Sequence, residues 1–582
     1  MPIFFPLFKP RLTGVSNQGS FLLSFVVLAC GAIISRLIWL QILHGSMYKF
    51  TVYQSRTRLV PRAPIRGRLL DRNGAILASN LLLYNLYLKP KFRNSSNWPS
   101  LRNRLATLLQ VSPEELDKRC QEEAKTSPYR FNLAKELSTK QILTFFERIK
   151  DFEGTEMDTE AKRLYPHGSL GAHVLGYVGS VAAEEYSYLK TKGYHLDDRI
   201  GRSGIELACE KLLRGSWGLQ KFEVNALGVV QRKLEDKPAL AGKDVKLTID
   251  LELQKVAEKA LTRVQAGAIV AMDPQTGAIR AMVSRPNYNP NVFAIAPSQI
   301  EWRHLNSDGA PLLNRVLQGF PPASTFKIVA TIAALESGRY APEDLELSSR
   351  SFCYQGKCYS DHVAIGFIPF PVALALSSNT VFYRVGLRLG FEELFKTAHR
   401  VGYGTQTGIE VKLEESPGLI GDPGFKAKHF GQPWTSVDTI VSAIGQGMVE
   451  VTPLQMARLY CIVANGGWLV TPHLIEKPTR RQSLGLKPET LGTLRNGLRK
   501  VVTMGTASVL NDPSLPAVAG KTGTAENPPH RDHAWFGGYA PNHSPSLVVI
   551  IFCENSGGFG GTVAAPMAKD LFKTWFQVRP WY

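Results

Sequence analysis

The chain has 582 residues, with 68 Lys and Arg against 49 Asp and Glu and a net charge of +19. That length exceeds one ordinary hydrophobic core and predicts two or three domains. The charge is uneven, since residues 1–100 hold 13 Lys or Arg against the single acid Asp71, and the arm has no zinc-finger, basic-zipper or RNP-like spacing, which argues against nucleic acid as its partner. An anionic membrane surface or polymer remains compatible with it.

Residues 21–43 form an apolar run of 23 residues, long enough to cross a bilayer with some tilt. Arg36 is its one charge, placed near an end where a long side chain reaches the interface, and Trp39 and Tyr48 suit that interface. With no small-x-small cleavage site, an uncleaved anchor is expected rather than a signal peptide. Lys9 and Arg11 precede the run and Lys49, Arg56, Arg58 and Arg62 follow it, so local charge counting does not set the orientation.

Beyond the anchor, Leu69-Leu70, then Asp71-Arg-Asn73-Gly74, then Ala75-Ile-Leu77 predicts a β-hairpin turning at Asn73-Gly74. Residues 100–160 read as a charged, helical, solvent-exposed lobe. Lys246–Asp250 reads as a strand, followed by an amphipathic helix through Leu253, Val256, Ala257, Ala260 and Leu261. A domain boundary is expected near 262. Ala268–Asp273 and Ala278–Val283 read as two strands, and 517–525, 533–540 and 547–552 as three more. Helices fill the sequence between these groups, which predicts an α+β domain with one antiparallel sheet.

One helix stands out. After Pro321 and Pro322, the stretch from Ala323 to Gly338 is apolar nearly all round and should be buried, with Ser324 a candidate cap. A cap does not account for Lys327, which lies one turn on where an ammonium is expensive to bury. Desolvation can hold such an amine neutral, and a neutral amine can take the proton of a neighbouring hydroxyl. A single S-x-x-K arises often by chance. Here it is followed by Ser377-Ser378-Asn379 after a helical run and by Lys521-Thr522-Gly523 on a predicted strand.

S-x-x-K, S-x-N and K-T-G in this order resemble the penicilloyl serine transferases. Arg66-Gly-Arg-Leu-Leu-Asp-Arg-Asn-Gly74, Gly201-Arg-Ser-Gly-Ile-Glu206 and Lys246-Leu-Thr-Ile-Asp250 are similar to the pedestal module of class B penicillin-binding proteins. The glycosyltransferase domain of class A members has no room here. Pro433-Trp434, Asp438-Thr439, Ile444-Gly-Gln-Gly447 and Val451-Thr-Pro-Leu-Gln455 resemble the elongation-type subfamily, penicillin-binding protein 2.

The resemblance implies a tail over 1–20, an anchor over 21–43, a pedestal (dimerisation-type) module over 44–261 with a lobe at about 90–160, and a transpeptidase domain over 262–582 built on a five-stranded antiparallel sheet flanked by helices. It implies Ser324 as nucleophile, Lys327 as base with its pKa lowered by burial and by Lys521, Ser377 as proton relay, and Asn379 as a holder of Lys327 and substrate. Lys521, Thr522, Gly523, Thr524 and Ser378 would bind substrate, with the amides of Ser324 and Thr524 as oxyanion hole. No cofactor or metal is implied. The implied partners are peptidoglycan strands and their lipid-linked precursor, the inner membrane, a glycosyltransferase of the shape, elongation, division and sporulation family with other elongation-complex proteins, and β-lactams as inhibitors. Competing readings are a D,D-carboxypeptidase or β-lactamase, a division-type transpeptidase, or an acylatable membrane scaffold or receptor.

Seven cysteines, at 30, 120, 209, 353, 358, 461 and 553, are too few and too scattered for a disulfide framework. Cys353 and Cys358 form the one close pair. With Asp361 and His362 they make C-x4-C-x2-D-H, a weak zinc spacing, so a loop disulfide or free thiols are expected over a metal.

Overall fold

The apolar run near the amino terminus is helical in the computed structural model, which describes residues 17–44, 57–126, 130–225, 230–294, 297–411 and 414–578. An α-helix over Asn17–Ile38 continues as a π-helical turn over Trp39–Leu43. The stretch Gly19–Leu43 has 25 residues and no buried part. At about 1.5 Å per residue it exceeds the roughly 30 Å of a bilayer's hydrocarbon. Arg36 stacks on Trp39, 4.3 Å from its ring centroid, which offsets part of the cost of that charge. The expectations for Lys9, Arg11, Tyr48, Lys49 and Arg56 fall outside the described residues.

The chain divides into two compact units. The first takes in the described residues before 64, with those of 85–158 and 217–240. It contains a three-stranded antiparallel sheet of Thr57–Arg62, Gly218–Val224 and Val230–Lys237. Its lobe is helical over Trp98–Leu109, Pro113–Thr126 and Thr139–Glu147, but it also holds a short strand, Phe131–Ala134, paired with Leu86–Leu88. Leu101, Leu105, Leu108 and Leu109 bury one face of the first helix. Phe145 and Phe152 stack with centroids 5.5 Å apart.

The second unit comprises 64–84, 159–216 and the described residues from 241 onward. Its hairpin pairs Leu69 with Ala78, and Asp71 closes the turn by accepting from the amides of Asn73 (2.8 Å) and Ala75 (2.7 Å), with Gly74 at φ 93°. The two motifs around residues 66 and 206 prove to be halves of one ion cluster. Glu206 is fully buried and accepts from Arg66 Nε (2.6 Å), Arg163 Nε (2.7 Å) and the Tyr165 hydroxyl (3.3 Å), while Arg66 also reaches Glu210 (2.7 Å). Glu206→Ala leaves the buried Arg163 guanidinium without a carboxylate partner and Arg66 with Glu210 alone, and is expected to cost about 3–5 kcal/mol, read as a lowered denaturation midpoint.

The strand expected over Lys246–Asp250 is shorter. Val245–Lys246 pairs in parallel with Leu69–Leu70, and Leu247 adds an isolated antiparallel bridge to Ile475. The pairing with Leu69–Leu70 ends where the backbone takes other partners: the Thr248 amide donates to the Leu474 carbonyl (2.8 Å) and the Asp250 amide to the Arg280 carbonyl (2.8 Å). The Thr248 hydroxyl bonds the carbonyls of Ile279 and His473, and Asp250 caps α1 (Leu251–Leu261) by accepting from the Leu253 amide.

After α1 the chain builds five strands: β1 (Ala266–Met272), β2 (Ile279–Arg285), β3 (Ala519–Ala525), β4 (His533–Ala540) and β5 (Leu547–Glu554). They pair antiparallel throughout in the order β2-β1-β5-β4-β3, which leaves β3 at an edge. The sheet is buried on both faces, and the period of two sorts its residues. Ala268, Val270, Met272, Val548, Ile550 and Phe552 join one core with α2 (Lys327–Glu336), α3 (Phe370–Leu376), α4 (Asn379–Arg400) and α5 (Pro453–Ala464). Ile269, Ala271, Leu547, Val549, Ile551 and Cys553 join a second core with α1 and α6 (Gly560–Val578). The Thr452–Gln455 part of the expected subfamily motif is a capping box that starts α5, with bonds of 2.9 and 3.0 Å.

Candidate active site

Ser324 does not cap a helix. Pro321 and Pro322 lead into a 3₁₀ turn, Ala323–Phe326, and α2 starts at Lys327 with no side-chain cap. Ala323 takes the left-handed φ of 49°, a costly conformation for a residue with a Cβ, and its amide is held by the Gly445 carbonyl at 2.8 Å. Gly445 sits at φ 75°, and a Cβ there would stand 2.3 Å from the Ala323 carbonyl oxygen, so only glycine fits. The Trp535 indole holds Pro321 from β4 (2.9 Å). Ser324 emerges from this clamp partly exposed, between buried neighbours.

The S-S-N residues form the joint between α3 and α4. Ser377 ends α3 in the left-handed region (φ 57°, ψ 34°), Ser378 is extended, and α4 begins at Asn379. The joint presents a ring of acceptors to Lys327, whose Nζ donates to the Ser377 carbonyl (2.7 Å), Asn379 Oδ1 (2.7 Å) and Ser377 Oγ (3.3 Å). From edge strand β3, Lys521 Nζ reaches the same Ser377 hydroxyl (2.9 Å) and the Thr522 carbonyl (2.9 Å). Both lysines are fully buried. Burial pushes Lys327 down to about 7, against the pull of the Asp361 carboxylate. Lys521 lies well below the usual lysine range, from burial first and then from Lys327. Asp361 is the charge that raises Lys327, while the two lysines, sharing the Ser377 hydroxyl, oppose each other's protonation.

Gly523 lies where a Cβ would stand 3.1 Å from the Pro322 carbonyl and 3.2 Å from Thr325, so β3 runs closely past the Ser324 turn. Thr522 shares a hydrogen bond with the Thr506 hydroxyl, and Thr524 Oγ1 accepts from the Gly560 amide (3.4 Å). Ser378 stands apart from the expected substrate-binding set, because it is fully buried and its hydroxyl donates to Asp361 (2.8 Å), leaving no donor for a ligand.

Cys353 and Cys358 form a disulfide across the hairpin Ser351–Tyr354 and Lys357–Ser360. Among the described residues no three His, Cys, Asp or Glu side chains cluster as a metal site. In the sequence Asp361 stands out only as part of the weak C-x4-C-x2-D-H spacing. No local pattern marks it, since its partners lie 17 and 19 positions away.

A partly exposed serine on a clamped turn, two buried lysines sharing one hydroxyl and an edge strand come together in the second unit. The chain belongs to the penicillin-binding protein family: the Penicillin binding protein transpeptidase domain matches residues 267–573 and the Penicillin-binding Protein dimerisation domain matches 61–247. Within that family it groups with penicillin-binding protein 2. It is similar to the peptidoglycan D,D-transpeptidase MrdA of Haemophilus influenzae, 32% identical over 594 residues, covering 95% of this chain and 90% of the relative. Among solved structures, a complex of penicillin-binding protein 2 with MreC from Helicobacter pylori is similar at TM-score 0.76 and 28% identity, over 90% of this chain and 99% of the other. A chain of a peptidoglycan synthase complex that coordinates polymerization and crosslinking is similar at TM-score 0.76 and 30% identity, over 97% and 100%.

Proposed function

We propose that this chain is a serine D,D-transpeptidase that cross-links peptidoglycan stem peptides through an acyl-enzyme on Ser324 during cell-wall elongation. The observation that carries this reading is Lys327: a fully buried amine, one turn from a partly exposed serine, with its pKa lowered to about 7 and its hydrogen bonds directed to Ser377 and Asn379. A poised amine of that kind is what a serine nucleophile needs near neutral pH.

In the first half-reaction Ser324 Oγ gives its proton to Lys327 Nζ and attacks the carbonyl between two D-alanines. The amides of Ser324 and Thr524 hold the oxyanion, each such donor contributing roughly 3 kcal/mol. The C–N bond then breaks as the proton passes from Lys327 through Ser377 Oγ to the leaving amine, and D-alanine departs. In the second half-reaction an amine of a neighbouring stem attacks the ester, the C–O bond breaks and Ser324 recovers its proton. Lys521, with Thr522 and Thr524 along the β3 edge, binds the donor's terminal carboxylate. Two ammoniums sharing the Ser377 hydroxyl repel, which favours one proton between the lysines when the site is empty.

The apolar amino-terminal helix is compatible with a single-pass anchor. In this reading it sits in the inner membrane with the catalytic domain in the periplasm, beside a glycosyltransferase of the shape, elongation, division and sporulation family. The similarity to complexes with MreC and within a peptidoglycan synthase supports elongation-complex partners. Incubation with uncross-linked glycan strands, followed by muropeptide separation, tests the reaction. Cross-linked dimers are expected, and trimmed monomers alone would make the chain a carboxypeptidase.

A further inference from the structure

Residues 377–380 alternate. Ser377 and Asn379 face Lys327, whereas Ser378 and Thr380 face the other way, onto one carboxylate oxygen. Asp361 Oδ2 accepts from Ser378 Oγ (2.8 Å), the Thr380 amide (2.8 Å) and Thr380 Oγ1 (3.0 Å). The Thr380 amide is one of the donors that the first turn of α4 leaves without a helical partner, and Ser378 makes no side-chain cap. Asp361 therefore caps α4 from a distant segment, with its charge at the positive end of the helix dipole. The segment is itself fixed: the Asp361 amide donates to the Arg350 carbonyl (2.9 Å), extending the ladder of the disulfide-closed hairpin, and His362 Nδ1 lies 3.1 Å from Asp361 Oδ1. Burial alone would raise the Asp361 carboxyl, but hydrogen bonds from His362, the Thr380 amide and Ser378, with the charge of Lys327, hold it well below the usual carboxylate range.

We infer that Asp361 is a positioning residue of the reaction, fixing from behind the Ser377–Asn379 joint that holds Lys327 and setting how readily that amine gives up its proton. It touches neither substrate nor nucleophile. The inference rests on the reading of Lys327 as base. The titratable groups facing the pair are His362 and Tyr383 on the side of Asp361 and Lys521 on the side of Lys327. A carboxylate that favours the protonated amine keeps Lys327 from falling further and leaves it poised near neutral pH.

The test is the rate constant for acylation by a fluorescent penicillin, measured against pH on the full-length protein in detergent. Asp361→Ala removes cap and charge and is expected to slow acylation about 100-fold through misplacement of the joint. Asp361→Asn keeps an acceptor for Thr380 and removes only the charge. It is expected to stay within about tenfold of wild type while its acid limb moves roughly one pH unit lower. A purely structural role would lower the rate and leave the limb in place, and that result for Asp361→Asn overturns the inference. So does a wild-type rate in Asp361→Ala. If neither variant folds, Thr380→Val removes one donor at nearly constant volume. A less satisfied carboxylate should then draw the limb upward, and an unmoved limb overturns the inference. A wild-type profile with no limb between about pH 5 and about pH 9 would instead sink the reading of Lys327 as base.

Discussion

Ser324→Ala is expected to lose acylation by penicillin and cross-linking activity together, by at least about 10³-fold, with an unchanged denaturation midpoint. The expectation follows from the local structure. Ser324 is partly exposed on a turn whose hydrogen bonds are made by its neighbours: Ala323 to Gly445, Thr325 Oγ1 to Pro322, and Trp535 to Pro321. Removing the hydroxyl therefore takes away the nucleophile and leaves the clamp whole. Retained function of Ser324→Ala in cells, with penicillin labelling lost, would favour the scaffold reading, and retained labelling would end the catalytic proposal.

Lys327→Met is expected to slow acylation about 10²–10⁴-fold, the usual contribution of a positioned general base. A methionine fills the buried channel without the amine, so the fold should tolerate it. Ser377 and Asn379 are left with unpaired acceptors at a cost of about 1–3 kcal/mol each at most, visible as a modest loss of stability. Lys521 is not expected to replace the lost base, because its hydrogen bonds go to Ser377 Oγ and the Thr522 carbonyl. A wild-type rate in Lys327→Met would reassign the base.

The strands of the sheet were legible as short apolar runs bounded by turn residues, the pattern of strands buried on both faces, whereas their sorting into two cores follows from the pleat. Val270 and Met272 part from Ile269 and Ala271 into separate cores, and β5 does the same. The ordered motifs were legible because two of them sit at element boundaries, a turn before a helix and a joint between helices, and the third lies within a strand that reads clearly from its sequence. What remained hidden depends on partners far along the chain. The left-handed Ala323 is imposed by Gly445, more than 100 residues later, so a helical reading with Ser324 as cap was the natural local answer. Asp361 gave no sign of its part because a carboxylate that caps a helix from another segment leaves no i, i+3 spacing to read. The strand Phe131–Ala134 is four residues long inside a charged helical stretch, too short to carry a period of its own. Lys246–Asp250 falls short of a full strand because the amides of Thr248 and Asp250 turn to the Leu474 and Arg280 carbonyls and Asp250 starts a helix.

The central claim is that a buried, neutral Lys327 activates Ser324, and the wild-type acylation rate constant measured against pH tests it most directly. The neutral amine is the active form, so its contribution is present above its pKa and lost as pH falls through it. The account predicts a single acid limb with a midpoint near 7, where burial places this lysine. A rate that is flat through neutral pH, or one that rises only near the ordinary lysine value of about 10.4, would contradict it.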